Sequence, residues 1–327
     1  MSDTIESLRR KINNASDLQS VVRTMKALAA SNIGQYERSV HALADYNRTV
    51  ELGLGAWFRE NRVASPIAER NETDQADAVG AVVFGSDQGL VGRFNDIVAD
   101  HAIKTLDALT GKAQVWAIGE RVHARLADAG LPPVGLLAVP NSVQGITAFV
   151  AQLLFESEGL QADSAQTSLW VFHNRPMAGA LFEPVGQRLL PLDAQWQDDV
   201  ASMRWPTGNL PQIVGTGPET TGALIREYLF ISLFRACAES LASENASRLA
   251  AMERADKNIS EMLAQLNSAF QQLRQTGIDE ELFDVISGFE ALTTSRPRRM
   301  DGGEGQIQSL SDGNREREPD REKSPSV

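Results

Sequence analysis

Few residues of this 327-residue chain have the types and spacing to do chemistry. The most suggestive run is Gly85-Ser86-Asp87-Gln88-Gly89-Leu90-Val91-Gly92, which joins an apolar stretch to an amphipathic one. A glycine-rich turn there can cradle phosphate with backbone N–H groups at a helix N-terminus. Its spacing matches neither G-x-G-x-x-G nor the Walker pattern, and no lysine follows Gly92. The plainer reading is a tight strand-to-helix connection that uses glycine for positive φ. Asp87 and Asp96 make an acid–base pair in outline only, because no nucleophile or third orienting group stands near them. Ser86 is not in a G-x-S-x-G elbow. The four histidines, His41, His101, His123 and His173, are scattered without ligand spacing, so neither a metal nor another cofactor is expected. The single cysteine, Cys237, excludes an intramolecular disulfide and reads as a packed thiol on a helix.

The elements that must position these residues are unusual in length. From Ala223 to Thr276 there is neither glycine nor proline, and apolar residues recur at steps of three and four. Such spacing keeps a stripe on one face of an α-helix. The pattern resumes after Gly277 as Ile278, Leu282, Val285, Ile286, Phe289 and Leu292, a segment of roughly 100 Å at helical rise. At the other end, Ile5, Leu8, Ile12, Ala15, Leu18, Val22, Met25 and Ala29 open a similar stripe that runs to Trp57. Ser2 or Asp3 is the expected N-cap. Two long stripes at opposite ends of one sequence meet most simply as an antiparallel coiled coil. The C-terminal rod is the longer, so its tip should sit inside another chain.

Between the rods the texture is that of an α/β domain. Strands are expected at 78–85, 113–119 and 134–139, with helices at 95–109, 120–129 and 142–158. Their alternation implies a mostly parallel sheet. Residues 167–173 and 187–192 read as an antiparallel pair added at the edge, and 193–221 as irregular. The expected fold class is therefore α/β with long helices: an antiparallel coiled coil of the N- and C-terminal helices, with a Rossmann-like α/β domain inserted between them. The expected division is 1–58 (N-terminal coiled-coil helix), 59–76 (linker), 77–221 (α/β domain), 222–292 (C-terminal coiled-coil helix) and 293–327 (disordered tail). The tail mixes both charges with Gly, Pro and Ser and has few large apolar residues. The net charge of −12 argues against a nucleic-acid partner. No run of eighteen apolar residues or signal h-region is present, so direct membrane insertion is not expected.

Three stretches together resemble the gamma subunit of F-type ATP synthases. They are LRRKINNASDLQSVVRTMKALAAS near the N-terminus, GSDQGLVGRFN in the turn, and ENASRLAAMERADKN followed by RQTGIDEELFDVISGFEAL near the C-terminus. The family pattern has I-R-x-K-I with A-A-S, then S/T-D-R-G-L-C-G-x-x-N, then A-R-M-x-A-M and A-R-Q-x-x-I-T-x-E. Gln88 stands for the usual Arg, Val91 for Cys, Arg93 for Gly, and Leu18 and Val22 for Thr. Asn32 follows the A-A-S where a basic residue is common, Gly277 stands for Ala or Ser, and residues past Leu292 lie outside the pattern. These departures point to a divergent subclass, such as an alternative or sodium-coupled complex.

The resemblance implies a central stalk that couples ion-driven rotation to conformational cycling of a catalytic alpha/beta ring. It implies a non-catalytic subunit of a proton- or sodium-translocating ATP synthase, with no active site of its own. The implied partners are the alpha and beta subunits, an epsilon subunit and the membrane c-ring, with a peripheral location on the cytoplasmic side of the cell membrane. Met25, Arg274, Gln275, Ile278 and Glu281 match the family's contact positions. Arg274 is the expected donor to acidic loops of a beta subunit, since a guanidinium binds carboxylates as a fork. Antiparallel pairing is expected to bring Arg274 near Met25. Two other classes fit the residues alone: a coiled-coil adapter without a torque role, and a phosphate- or nucleotide-binding α/β enzyme.

Overall fold

The computed structural model describes residues 4–61, 78–109, 111–163, 167–177, 180–209, 211–212 and 217–294. The chain forms two compact units, Met1–Phe270 and Gln271–Val327. The linker expected at 59–76 falls outside the described residues except at its start, which is helical, and the tail falls outside them after Thr294.

The N-terminal rod is two helices, not one: α1 (Ile5–Ala42) and α2 (Ala44–Asn61). No proline or glycine marks the break. The Leu43 N–H is shared between the carbonyls of Ser39 and Val40, both at 3.3 Å, a local tightening of the helical ladder. The cap of α1 is Thr4, whose Oγ1 accepts from the Ser7 N–H at 3.2 Å. The first strand, β1 (Ala78–Phe84), leads through the glycine-rich turn to α3 (Phe94–Asp107). Next come β2 (Lys112–Ile118), α4 (Glu120–Asp128), β3 (Gly135–Leu137) and α5 (Val143–Asp163). The hairpin β4 (Thr167–Met177) and β5 (Ala180–Leu190) follows. The stretch read as irregular contains a short helix, α6 (Ala194–Ser202), capped by Asp193, whose Oδ1 accepts from the Trp196 N–H at 3.0 Å. The last helix, α7 (Gly217–Thr294), starts five residues earlier than its first inner glycine, Gly222, suggested. Pro218 occupies its first turn, where the missing N–H costs nothing.

The sheet order is β3-β2-β1-β4-β5. β1 runs parallel to both β2 and β4, β2 runs parallel to β3, and β5 runs antiparallel to β4 at the edge. Alternation along the strands builds two cores. Val79, Ala81 and Val83 face Val98, Ala99 and Ala102 of α3 and Val122 and Leu126 of α4. Val82 and Phe84 face the other way, into a larger cluster with Ile146, Val150 and Leu153 of α5, Leu54 of α2 and Leu229 to Ala242 of α7. The base of α7 is thus part of the core of the α/β domain.

Beyond that core, α1 and α7 pair in an antiparallel sense within the first unit. Residues of α1 meet residues of α7 whose numbers fall as the α1 numbers rise. Gln19 bonds Asp256 and Ser260 at 3.0 and 2.8 Å, Lys26 pairs with Glu253 at 3.5 Å, and Asn32 bonds Asn245 at 3.4 Å. The buried positions of α1 recur every seven residues: Leu8, Ala15, Val22, Ala29 and Tyr36. On α7 the matching series is Ile231, Ala238, Asn245, Met252 and Ile259. This seven-residue spacing is the coiled-coil repeat. The seam is narrower than the sequence stripe: Leu18, read as a stripe residue, is 55% exposed.

Candidate functional site

The glycine-rich turn leaves the carboxyl end of β1, which has β2 on one side and β4 on the other. In open α/β sheets ligands bind at this switch point, outside the strand ends. Here the chain fills the place with its own carboxylate. Asp87 Oδ1 accepts from the N–H of Glu120, the first residue of α4, at 3.1 Å, and Oδ2 accepts from the Val139 N–H at 2.9 Å. An acidic side chain therefore occupies the helix N-terminus that a phosphate would use. Asp96 is likewise engaged, with Arg125 Nε at 3.1 Å. The two aspartates serve different structural contacts and do not form an acid–base pair.

The glycines of the turn do different work. Gly92 has φ +60, as the conformational argument requires, but Leu90 also sits at φ 64. Gly85 is needed for proximity: a Cβ there would lie 2.3 Å from Val122 Cβ and 2.7 Å from Asn95 Oδ1. It lets α4 pack against the strand end. Asn95 then locks the turn, accepting from the Ser86 N–H and donating to Ser86 Oγ, both at 2.9 Å.

From the turn a polar path leads to α7. Asn174 of β4 donates to the Phe94 carbonyl at 2.9 Å, and the Asn174 carbonyl accepts from Ser243 Oγ at 3.0 Å. One residue earlier on β4, His173 Nε2 and Glu239 Oε2 are 2.8 Å apart, and Arg235 Nε donates to Glu239 Oε1 at 2.7 Å. Burial alone would raise the Glu239 carboxyl, but the bonds from His173 and Arg235 outweigh it and hold the group below its usual range. Glu244 goes the opposite way. Its burial raises the pKa more than the Arg248 guanidinium at 2.6 Å lowers it. Cys237 is buried among these groups, and burial pushes its thiol up.

Sequence reasoning missed this polar layer. Its signal was present in Ala-Cys-Ala-Glu-Ser-Leu-Ala-Ser-Glu-Asn-Ala-Ser (236–247), where small and polar residues replace large apolar ones in mid-helix. Small side chains let α7 approach the sheet closely, and every buried polar group then needs a partner.

Of the expected contact residues, Met25 is half-buried in the seam, in the cluster of Ala15, Val22, Met252 and Ile259. Within the first unit it packs at the level of Met252. Arg274, Gln275, Ile278 and Glu281 belong to the second unit and are all exposed. The described residues of that unit are the end of α7, and they present large apolar side chains to solvent. Ile278 is 54% exposed and Phe283 67%. No helix among the described residues is long and apolar enough to cross a membrane.

A family model described as ATP synthase matches residues 4–292. The chain is 24% identical over 289 residues to an ATP synthase gamma chain of Sulfurihydrogenibium sp. (strain YO3AOP1), covering 87% of this chain and 97% of that one. An ATP synthase gamma chain of Nautilia profundicola is 23% identical over 300 residues, covering 88% and 99%. Among solved structures, the fold is similar to a chain of the Euglena gracilis mitochondrial ATP synthase (OSCP/F1/c-ring, rotational state 3), with TM-score 0.56 and 16% identity, covering 91% and 99%. A chain of the central stalk/c-ring of the Tetrahymena thermophila enzyme gives TM-score 0.52 at 18% identity, covering 72% and 99%.

Proposed function

This chain belongs to the ATP synthase family as a gamma chain, and we infer from that membership how its parts divide the work of a rotor. It is the central stalk subunit, and its mechanism is conformational bias. One asymmetric rod inside a ring of similar interfaces presents a different face to each. A face that binds one conformation of its neighbour better than another shifts that neighbour's equilibrium by the difference in affinity. Rotation carries the bias from one interface to the next.

In this reading the catalytic ring is made of alpha and beta subunits, and the α/β domain lies toward the epsilon subunit and the membrane c-ring. The complex is peripheral, at the cytoplasmic side of the cell membrane. Arg274, Gln275, Ile278 and Glu281 contact the ring directly, and Met25 acts through the seam. The polar ties from the turn to α7 fasten the rod to the domain that receives torque. The observation that carries the reading is the family match over 4–292, which spans both paired helices and the domain between them. The test is reconstitution with alpha and beta subunits of the same organism, with ATP hydrolysis and rotation as readouts. A ring whose turnover and rotation do not depend on this chain would refute it.

A further inference from the structure

We propose that the end of α7 fits a seat on the surrounding ring that is apolar at its centre and cationic along its borders. The proposal rests on the rotor reading and deepens it by naming the chemistry of the partner's surface. Within the second unit, Ile278, Leu282, Phe283, Val285 and Ile286 are between 45% and 69% exposed. A helix turns about 100° per residue, so Ile278, Leu282, Val285 and Ile286 share one arc about 100° wide. Asp279 borders that arc on one side and Glu281 on the other, while Glu280 and Asp284 lie away from it. Over 271–294 the acids are Asp279, Glu280, Glu281, Asp284 and Glu290, against the single base Arg274. An apolar stripe alone would accept any greasy groove. Carboxylates on both borders restrict the choice, because an acid drawn to the rim of an apolar contact loses hydration and needs a cation in return. Lysine or arginine at the edges of the seat supplies it, with arginine suited to the forked bond. Charge complementarity thus selects a cationic rim, since an acidic one would repel the borders and a neutral one would leave their lost hydration uncompensated.

The test measures binding of the full chain to the alpha/beta ring of the same organism at rising salt. Asp279→Asn with Glu281→Gln should weaken binding by roughly tenfold at low salt, with the difference closing as salt screens the rim. Glu280→Gln with Asp284→Asn should stay within about twofold, since those groups lie off the border. Equal losses in the two pairs would replace the rim with a general attraction of net charge and overturn the proposal. So would a border variant that binds like the unaltered chain. The comparison is repeated in a chain ended after Thr294, which lacks Arg296, Arg298 and Arg299. An effect that disappears there belongs to pairing within the chain and also overturns the rim. If the unaltered chain binds the ring at no salt concentration, the rotor reading itself fails, a distinct result.

Discussion

His173 on β4 and Glu239 on α7 hold each other at 2.8 Å in a buried contact, and this pair ties the rod to the sheet. Because the Glu239 carboxyl titrates below its ordinary value of 4.5, its stabilising contribution is complete above that pH and is lost as pH falls through the folded value. Glu239→Leu should therefore reduce unfolding free energy by about 1–3 kcal/mol at neutral pH. The difference from the unaltered chain should shrink below pH 4.5. Urea unfolding at a series of pH values measures both. An offset that stays constant into acid would show that the loss is one of packing alone.

Val21 and Val22 are neighbours on α1 with opposite surroundings, 56% and 6% exposed. Val22→Ala should cost about 1.5–2.5 kcal/mol through lost burial in the seam. Val21→Ala should stay within about 0.5 kcal/mol. Thermal unfolding of the two variants side by side tests the seven-residue register, and similar losses in both would contradict it.

At the turn, Asp87→Ala leaves the Glu120 and Val139 N–H groups without their acceptor and should lower stability by about 1–3 kcal/mol. Purified chain should show no ATPase or phosphatase activity for this substitution to remove. Hydrolysis by the chain alone that Asp87→Ala abolished would restore the enzymatic reading.

Arg274→Ala bears on coupling in the assembled enzyme. An exposed arginine whose pairs contribute only about 0–1 kcal/mol would leave turnover nearly unchanged. A charge-assisted bond to a beta-subunit loop in one rotary state is stronger, and its loss should change turnover by roughly tenfold. Hydrolysis and ion pumping are measured together. Met25→Lys differs in kind, because it places a charge in the cluster with Met252 and should also lower the stability of the isolated chain.

Truncation after Thr294 should leave assembly and coupling almost unchanged, since 295–327 has no core-forming pattern. Loss of assembled complex on gradient sedimentation would make that segment an interaction element.

The large features of the fold were legible because each rests on one periodic signal. Steps of three and four from Leu8 to Tyr36 announced a helix, and short apolar runs such as 78–84 announced buried strands. The break at Leu43 left no trace, because His41-Ala42-Leu43-Ala44 contains no helix breaker and the interruption is a shift of one N–H. The short helix α6 was hidden by surrounding prolines and tryptophans, which resemble loop composition. At the turn, the choice between phosphate cradle and plain connection was decided by where the Asp87 carboxylate points, which spacing does not encode. That Met25 packs beside Met252 was not legible, because a stripe fixes which face is buried but leaves the stagger between two helices open. Cross-helix pairs such as Lys26 with Glu253 reveal that stagger, and the buried seam of Val22 with Met252 and Ile259 holds it.

The burial of Cys237 has a practical consequence. It is the chain's sole thiol, 1% exposed, and held in its unreactive protonated form by its surroundings. A cysteine introduced at an exposed site such as Gln275 would be the one group open to maleimide dyes, with no need to strip native thiols first. A single fluorophore or bead could then be attached at a chosen point of this subunit, and its angle followed in real time.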